Sequence, residues 1–203
     1  MKSKLKNVIF DCGGVLVTYH VKDYFQQQGY SDEKAKRLIA ATMDSENWKE
    51  YDRGVLTDEE IRARFAKDAP DLKEDIDKTL THMYRLCTNR DTAIPWIEDL
   101  KSRGYKTFVL SNFSGTCYHD CSDALDFESH VDGAFWSYQH RVIKPEPAAF
   151  LDMLYDFGLK ADESVFIDDT RENIEAAERV GLSAVLYTTQ EETERALNTL
   201  LEE

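Results

Sequence analysis

The sequence predicts an α/β fold in which helices cover both faces of a parallel sheet. Short apolar runs that end in polar residues recur along the chain, and amphipathic stretches of helical length separate most of them. Strands that alternate with helices imply a parallel sheet with right-handed crossovers. At 203 residues the chain is long enough for one sizeable domain, or for a core with a modest insert.

Five apolar runs are the predicted strands. They are "LKNVIF" before Asp11, "KTFVL" before Ser111, "GAFWS" near residue 135, "SVFI" before Asp168 and "SAVLY" near residue 185. Two of the helices between them are well marked, because residues 91–103 are followed by Gly104 and residues 171–180 by Gly181. Glycine directly after a helix is a common stop signal, so we expect both helices to end there.

Residues 19–87 interrupt this alternation. They contain three helical patterns in succession ("SDEKAKRLIAATM", "TDEEIRARFAKD" and "DLKEDIDKTLTHMYRLC") and no convincing strand. Ser31 and Thr57 each precede acidic residues, as residues at helix starts often do. The sequence therefore predicts a helical unit of residues 19–87, inserted after the first strand into a core of residues 1–18 and 88–203.

The charge of the chain limits its partners. Acidic residues outnumber basic ones 39 to 25, the formal net charge is −14, and no basic cluster balances it. Nucleic acid and anionic membranes are therefore poor partners, and a small anionic substrate needs a local positive charge or a metal ion in a discrete pocket.

Several features favour a cytoplasmic protein. No apolar run reaches transmembrane length, and Asp11 interrupts the first apolar run where a signal peptide would stay apolar. The 4 cysteines form no dense framework, which suits a reducing compartment. The sequence leaves the oligomeric state open.

Polar side chains follow three of the predicted strands, and a lysine precedes a later helix. These residues are Asp11, Ser111 with Asn112, Asp168 with Asp169, and Lys144. Ligands of open parallel sheets bind beyond the carboxyl ends of the strands, so we expect these groups to meet at one edge. Carboxylates and a backbone carbonyl are hard oxygen ligands suited to Mg²⁺. A metal ion and Lys144 would neutralise a bound phosphate, while Ser111 and the amide of Asn112 can donate to its oxygens.

Four motifs occur in the order "VIFDCGGVLV", "FVLSN", "VIKPEPAAF" and "VFIDDTRENIEAA". Together they resemble the motifs of the haloacid dehalogenase-like hydrolases, most of which are phosphatases, and they span most of the chain. The resemblance implies a doubly wound, Rossmann-like core with a helical cap after the first motif. That arrangement is typical of subfamily I, whose cap is of the C1 type.

The resemblance also implies roles for the polar residues. Asp11 corresponds to the nucleophile that forms an aspartyl-phosphate, and Ser111 and Lys144 to the residues that hold the phosphate. The implied Mg²⁺ ligands are Asp11, the Gly13 carbonyl, Asp168 and Asp169. Arg53, in "WKEYDRGVLTDEE", resembles a residue of the cap loop that faces the active site in related proteins, which implies a contact with substrate.

Position 13 departs from the family pattern. Family phosphatases usually carry a second aspartate two residues after the nucleophile, which protonates the leaving oxygen, but this chain has Gly13. Loss of a positioned acid reduces the rate by roughly 10² to 10⁴ for a poor leaving group. The variant "DxGxV" resembles a branch that includes α-D-glucose-1-phosphate phosphatases, whose anomeric oxygen leaves more easily than an ordinary alkoxide. Water on the metal, or His20, is an alternative proton source.

We therefore expect a Mg²⁺-dependent phosphatase that acts on a small phosphorylated metabolite, in particular a sugar phosphate such as a hexose 1-phosphate. A 2-haloacid dehalogenase is the first alternative, but Asp168 and Asp169 argue against it because dehalogenation needs no metal. The second alternative is an inactive protein of the same fold with a binding or regulatory role.

Overall fold

The computed structural model describes residues 5–202. Its strands are β1 (Asn7–Phe10), β2 (Val17–Tyr19), β3 (Cys87–Asn89), β4 (Lys106–Ser111), β5 (Gly133–Trp136), β6 (Ser164–Asp168) and β7 (Ser183–Leu186). Five of them form one parallel sheet in the order β5-β4-β1-β6-β7. The predicted α/β class with a parallel sheet is confirmed, and each predicted strand coincides with one of the five.

Helices connect these strands. They are α1 (Val21–Gln27), α2 (Asp32–Ala41), α3 (Glu46–Asp52), α4 (Asp58–Asp68), α5 (Lys73–Thr79), α6 (Ala93–Ser102), α7 (Gly115–Asp120), α8 (Ser137–His140), α9 (Pro147–Asp156), α10 (Arg171–Arg179) and α11 (Gln190–Glu202). Shorter 3-10 segments cover Pro70–Leu72, Ser122–His130 and Ala161–Glu163. Among the helices of residues 5–202, none is both long and apolar enough to cross a membrane.

The sheet is covered on both faces. Side chains alternate along a strand, so Val8 and Phe10 of β1 point to one face and Ile9 to the other. Phe10 packs edge-to-face on Trp96 of α6 with ring centroids 4.8 Å apart, in a buried cluster that also includes residues of α11. Ile9 belongs to a second cluster with Phe150 of α9 and residues of α10. Helices on both faces give the doubly wound arrangement.

β1 lies at the centre of the sheet, where the direction of winding reverses. The chain first adds β4 and β5 on one side of β1 and then crosses over to add β6 and β7 on the other. Phe10 pairs with Val109 of β4 and with Ile167 of β6, so the residues that follow these three strands emerge side by side. Such a switch point is where open α/β sheets bind ligands.

Helices α1 to α5 bury apolar residues that belong to the same cluster as Phe10 and Trp96. The most buried of these, each at most 1% exposed, are Phe25, Leu38, Ile61, Phe65 and Ile76. Two of the helices begin where the sequence predicted. The Ser31 hydroxyl accepts from the backbone N–H of Lys34 at the start of α2, and Thr57 and Glu60 cap α4 reciprocally.

Two features of residues 19–87 differ from expectation. β2 pairs antiparallel with β3, with Tyr19 opposite Cys87, so strands lie where the sequence showed none. A ribbon of three residues per strand is too short to produce a visible alternation. The predicted boundaries of the core and the helical unit fall within this ribbon and stay a prediction.

The third helical pattern is also shorter than expected, because α5 ends at Thr79. In residues 80–86, tertiary contacts replace helical hydrogen bonds. The Tyr24 hydroxyl donates to the His82 carbonyl at 2.6 Å, and the backbone N–H of Met83 donates to Asp120 at 2.6 Å. Arg85 has a left-handed φ of 64°, which no helix accommodates.

Two aromatic residues on α9 provide a matched test of the core. Phe150 is fully buried against Phe166, with ring centroids 5.4 Å apart, whereas Tyr155 is 86% exposed. We expect Phe150→Ala to lower the free energy of unfolding by about 3–5 kcal/mol because it leaves a cavity. Tyr155→Ala should change it by less than about 0.5 kcal/mol. Urea denaturation measures both, and equal losses would contradict this packing.

Candidate active site

A cleft of about 590 Å³ opens at the carboxyl ends of β1, β4 and β6, beneath the helical unit. Most of the residues predicted from the sequence line it, namely Asp11, Gly13, Ser111, Asn112, Lys144 and Asp169. Asp168 is fully buried and reaches the cleft through Lys144. The topology therefore brings together groups that are up to 158 positions apart (11 to 169) in the sequence.

Lys144 is the centre of this arrangement. Its Nζ lies 2.7 Å from Oδ1 of Asp11 and 2.7 Å from Oδ2 of Asp168, and all three side chains are almost inaccessible to solvent. Burial alone would lower the pKa of Lys144, but the charges of Asp11 and Asp168 raise it above its ordinary value. Burial raises the pKa of Asp11, and Lys144 opposes that rise. The lysine is therefore a permanent cation, and it favours the charged form of the Asp11 carboxylate against the effect of burial.

Three carboxylates meet next to this single ammonium group. One oxygen from each of Asp11, Asp168 and Asp169 lies within 4.8 Å of the others. Burial, and then the charge of Asp168, raise the pKa of Asp169. Three negative charges against one positive charge leave an excess of two, and the donors are hard oxygens. The residues present therefore fit a divalent cation such as Mg²⁺.

Asp168 is held in place by several donors. Asn173 of α10 donates its side-chain amide to both carboxylate oxygens, at 3.1 and 3.0 Å, and the backbone N–H of Thr170 donates at 2.7 Å. Together with Lys144 these donors fix the orientation of a carboxylate that would otherwise be free to rotate. Asp11 and Asp169 line the cleft and have more open oxygens.

Gly14 allows Asp169 to approach the first loop. Gly14 has a left-handed φ of 73°, and a Cβ at this position would lie 2.1 Å from Oδ2 of Asp169. Only glycine avoids both the strain and the clash. The second glycine of the "DCGG" sequence is therefore required by the acidic cluster and not only by the turn.

Asn112 joins the loop after β4 to the loop that carries Lys144. Its side-chain Nδ2 donates to the Lys144 carbonyl at 2.9 Å, and its Oδ1 accepts from the Lys144 backbone N–H at 2.8 Å. The side chain is therefore engaged, and the backbone amide remains for the predicted contact with phosphate. Ser111, at the end of β4, is buried and lines the cleft.

Arg53 lies elsewhere. It is not among the residues that line the cleft, and its Nη1 and Nη2 donate to the two carboxylate oxygens of Glu146, each at 2.7 Å. Its Nε donates to Glu50 at 3.2 Å. Arg53 thus forms an ion pair to the "KPEP" loop, a long-range partner that the local pattern around residue 53 does not reveal, and its contact with substrate stays a prediction.

Neither Gly13 nor His20, the two positions considered for proton transfer, places an acidic or basic side chain in the cleft. A Cβ on Gly13 would lie 2.6 Å from Cε2 of Tyr19, so this ring occupies the place of a side chain at position 13. His20 does not line the cleft, and its Nε2 is hydrogen-bonded to Thr88 Oγ1 at 2.8 Å.

Sequence reasoning missed several residues of the cleft. Asp52 and Tyr19 line it, and the apolar part of the lining consists of Val21, Met43, Trp48, Leu86 and Phe113. Asp52 directly precedes Arg53 in the "YDRG" sequence, but an acid at the end of a short helix has no pattern that distinguishes it from a solvated one. The apolar residues belong to separate elements whose shared surface depends on tertiary packing.

A family model for haloacid dehalogenase-like hydrolases matches residues 5–181. The chain therefore belongs to the haloacid dehalogenase-like hydrolase family and is a hydrolase, as the four motifs led us to expect.

Individual relatives are distant. The chain is 25% identical over 199 residues to the drimenol cyclase of Aspergillus calidoustus, covering 97% of this chain and 36% of the cyclase. It is 24% identical over 190 residues to the sesquiterpene phosphatase of Aspergillus oryzae, covering 93% of this chain and 92% of the phosphatase. The crystal structure of a family enzyme from Bacteroides thetaiotaomicron in complex with magnesium and inorganic phosphate has a TM-score of 0.70 at 21% identity, covering 92% of this chain and 96% of that one. This last match shows a common fold.

The acidic cluster predicts how the chain binds a metal ion. Asp169→Asn removes a ligand and one negative charge, so we expect the Kd for Mg²⁺ to rise by roughly 10-fold or more. Isothermal titration calorimetry measures this, with Asp123→Asn as the control because Asp123 is an exposed aspartate outside the cleft. The same Mg²⁺ affinity in both variants would mean that the ion does not bind at this cluster.

Proposed function

We propose that this chain is a Mg²⁺-dependent phosphatase that hydrolyses a small phosphomonoester through an aspartyl-phosphate on Asp11. The observation that carries the proposal is the buried Lys144 ammonium, 2.7 Å from both Asp11 and Asp168, beside an acidic cluster that suits a divalent cation. The relation to a sesquiterpene phosphatase supports the same class of reaction.

Separate residues of the chain act as the nucleophile, neutralise charge and bind the phosphate. Asp11 attacks phosphorus, and Lys144 offsets the repulsion between this carboxylate and the phosphate oxygens. Ser111 and the backbone amide of Asn112 donate to the phosphoryl group and align it with Asp11. Asp11, Asp168, Asp169 and the Gly13 carbonyl would hold Mg²⁺, which when bound would supply further positive charge at the transferring group.

We further propose that residues 19–87 act as a cap of the C1 type that closes over the substrate and excludes water. In the sequence, helices α1 to α5 lie between β2 and β3. The lining of the cleft includes four residues of this stretch, Val21, Met43, Trp48 and Asp52. The cap therefore faces the part of the substrate that differs between phosphate esters, and it determines which ester fits.

A hexose 1-phosphate is the first substrate that we propose. Gly13 carries no acid, and the anomeric oxygen of a sugar 1-phosphate needs a proton less than an ordinary alkoxide does. Thr18, Asp44, Asp52 and Arg90 supply polar groups in the cleft for the sugar hydroxyls.

An allylic phosphate, such as a terpenoid monophosphate, is the second candidate. The apolar lining formed by Val21, Met43, Trp48, Leu86 and Phe113 favours a hydrocarbon group. The phosphatase relative acts, by its name, on a sesquiterpene.

Removal of the nucleophile tests the phosphatase proposal. Wild-type protein and Asp11→Asn are assayed against a panel of phosphate esters with Mg²⁺ and with a chelator. We expect Mg²⁺-dependent release of phosphate by the wild type and a loss of at least about 10³-fold in Asp11→Asn, because the amide cannot form the aspartyl-phosphate. Asp152, an exposed aspartate of α9, provides the control Asp152→Asn, which should keep its activity.

The same panel separates the alternatives. A dehalogenase would release halide from 2-chloropropionate in the presence of the chelator. A binding or regulatory protein would bind Mg²⁺ and beryllofluoride without any turnover of the panel. Either result would overturn the phosphatase proposal.

The nature of the leaving group and the lining of the cleft together predict substrate preference. We expect kcat/KM to be higher for glucose 1-phosphate than for glucose 6-phosphate, because the anomeric oxygen leaves more easily. A higher kcat/KM for farnesyl phosphate than for both sugars would select the second candidate instead. Equal values for the two glucose phosphates would contradict the explanation offered for Gly13.

A further inference from the structure

Cleavage of an alkyl phosphate requires a proton at the leaving oxygen. Even the anomeric alkoxide of a sugar is a strong base at neutral pH, an allylic alkoxide more so, and a positioned acid accelerates the departure of such a group by about 10² to 10⁴. Position 13 cannot supply this proton, since Tyr19 occupies the space beside Gly13, and His20 lies outside the cleft lining. A side-chain donor would therefore come from another element that lines the cleft, with water on the metal as the alternative source.

We propose that Asp52, the last residue of α3, is the general acid and base of this site, a role that rests on the phosphatase function proposed above. Asp52 lines the same cleft as Asp11 and Lys144 but reaches it from the helical unit, whereas Asp11, Asp168 and Asp169 of the acidic cluster belong to the core. The leaving group of a substrate whose phosphate lies against Asp11 occupies the rest of this cleft, which Asp52 lines.

The backbone of Asp52 is tied to the core. The hydroxyl of Ser137, a buried residue at the start of α8, donates to the Asp52 carbonyl at 2.5 Å. The same hydroxyl accepts from the backbone N–H of Phe113 at 2.9 Å. Phe113 directly follows Ser111 and Asn112, so one serine links the proposed acid to the loop that holds the phosphate.

The next two residues dock on the core as well. Arg53 forms its two-pronged ion pair with Glu146, two positions after Lys144. Gly54 has a left-handed φ of 71°, and a Cβ there would lie 2.5 Å from the Tyr138 carbonyl, so its backbone lies directly against α8. Three successive residues of the helical unit thus contact the core, which fixes the backbone of Asp52 relative to the loop that holds the phosphate.

The surroundings of Asp52 suit a proton donor. Burial raises the pKa of Asp52 to about 8, the backbone N–H of Ser114 opposes the rise, and the charge of Asp11 adds to it. Cys117 of α7 and Tyr19 of β2 are the other titratable groups nearby, and burial raises the pKa of both, so they stay neutral.

Arg53 does not stabilise the charged form of Asp52. Although it is adjacent in the chain, its guanidinium is already paired with Glu146 and Glu50. Asp52 is therefore largely protonated at neutral pH and can give up its proton within the reaction.

The chemistry balances over two steps. In the first, an Asp11 oxygen bonds to phosphorus, the ester P–O bond breaks, and the Asp52 proton moves to the leaving oxygen to give the free alcohol. In the second, Asp52 takes a proton from water as the water oxygen bonds to phosphorus. The Asp11–phosphorus bond then breaks, which releases inorganic phosphate and restores both carboxyl groups to their starting states.

The test compares leaving groups. Asp52→Asn is assayed with p-nitrophenyl phosphate, whose leaving group needs no proton, and with the best alkyl ester of the panel. We expect the variant to release a burst of nitrophenol equal to the enzyme concentration and then to turn over slowly. For the alkyl ester we expect no burst and a kcat that is lower by about 10² to 10⁴. In the wild type, kcat/KM for the alkyl ester should fall as the pH rises through 8 and Asp52 loses its proton. This decline should be absent in the variant.

Two further variants serve as controls. Asp52→Glu should recover part of the alkyl-ester activity, because it restores a carboxyl group. Glu46→Gln removes an exposed acid from the same helix, outside the cleft, and should leave both substrates unaffected. Inhibition by orthovanadate should be the same in the wild type and Asp52→Asn, which shows that the phosphate pocket is intact.

The outcomes distinguish a failure of the role proposed for Asp52 from a failure of the phosphatase proposal. Equal losses on both substrates, without a nitrophenol burst, would mean that Asp52 only supports the fold. Full activity of Asp52→Asn would place the proton donor elsewhere, and in both cases the phosphatase proposal would stand. A wild-type protein that is inactive on the whole panel would overturn both proposals.

Discussion

The buried ammonium group of Lys144 is the interaction on which the rest of the site depends. It lies between Asp11 and Asp168, which follow or end different strands, and it is the only cation in contact with either among the described residues. Two carboxylates this close and this poorly solvated repel each other strongly unless a positive charge lies between them. The lysine therefore allows an aspartate at the end of β1 and another at the end of β6 to lie close together. The negative charge of the three carboxylates that Lys144 does not neutralise favours binding of a divalent cation.

Close packing around the loop that follows β1 is a second constraint. Gly14 is needed because Asp169 lies where a Cβ would be, and Gly13 has the Tyr19 ring beside it. The loop is thus packed from both sides, by the acidic cluster and by the ribbon. An acid at position 13 would require Tyr19 to move, which connects the identity of residue 13 to the first residues of the helical unit.

Much of the core could be predicted from sequence because its signals are local. Each buried strand is a short apolar run, and each of Asp11, Ser111 and Asp168 ends or directly follows one, so the topology of a parallel sheet was enough to bring them together. The features that escaped prediction depend on distant partners. Arg53 pairs with Glu146 across 93 positions, and the segment of residues 80–86 is bonded to Tyr24 and Asp120. No local periodicity records such contacts.

The paired ribbon of β2 and β3 has a consequence for how such a protein is assembled. The polypeptide leaves the sheet and returns to it through two strands that run side by side, with Tyr19 opposite Cys87. The ends of the intervening stretch are therefore neighbours, and a tight turn between them would span the same gap. Modules of different size and shape could be exchanged at this junction without disturbing the register of the five parallel strands, so new ligand preferences can arise by replacing one contiguous block of the gene.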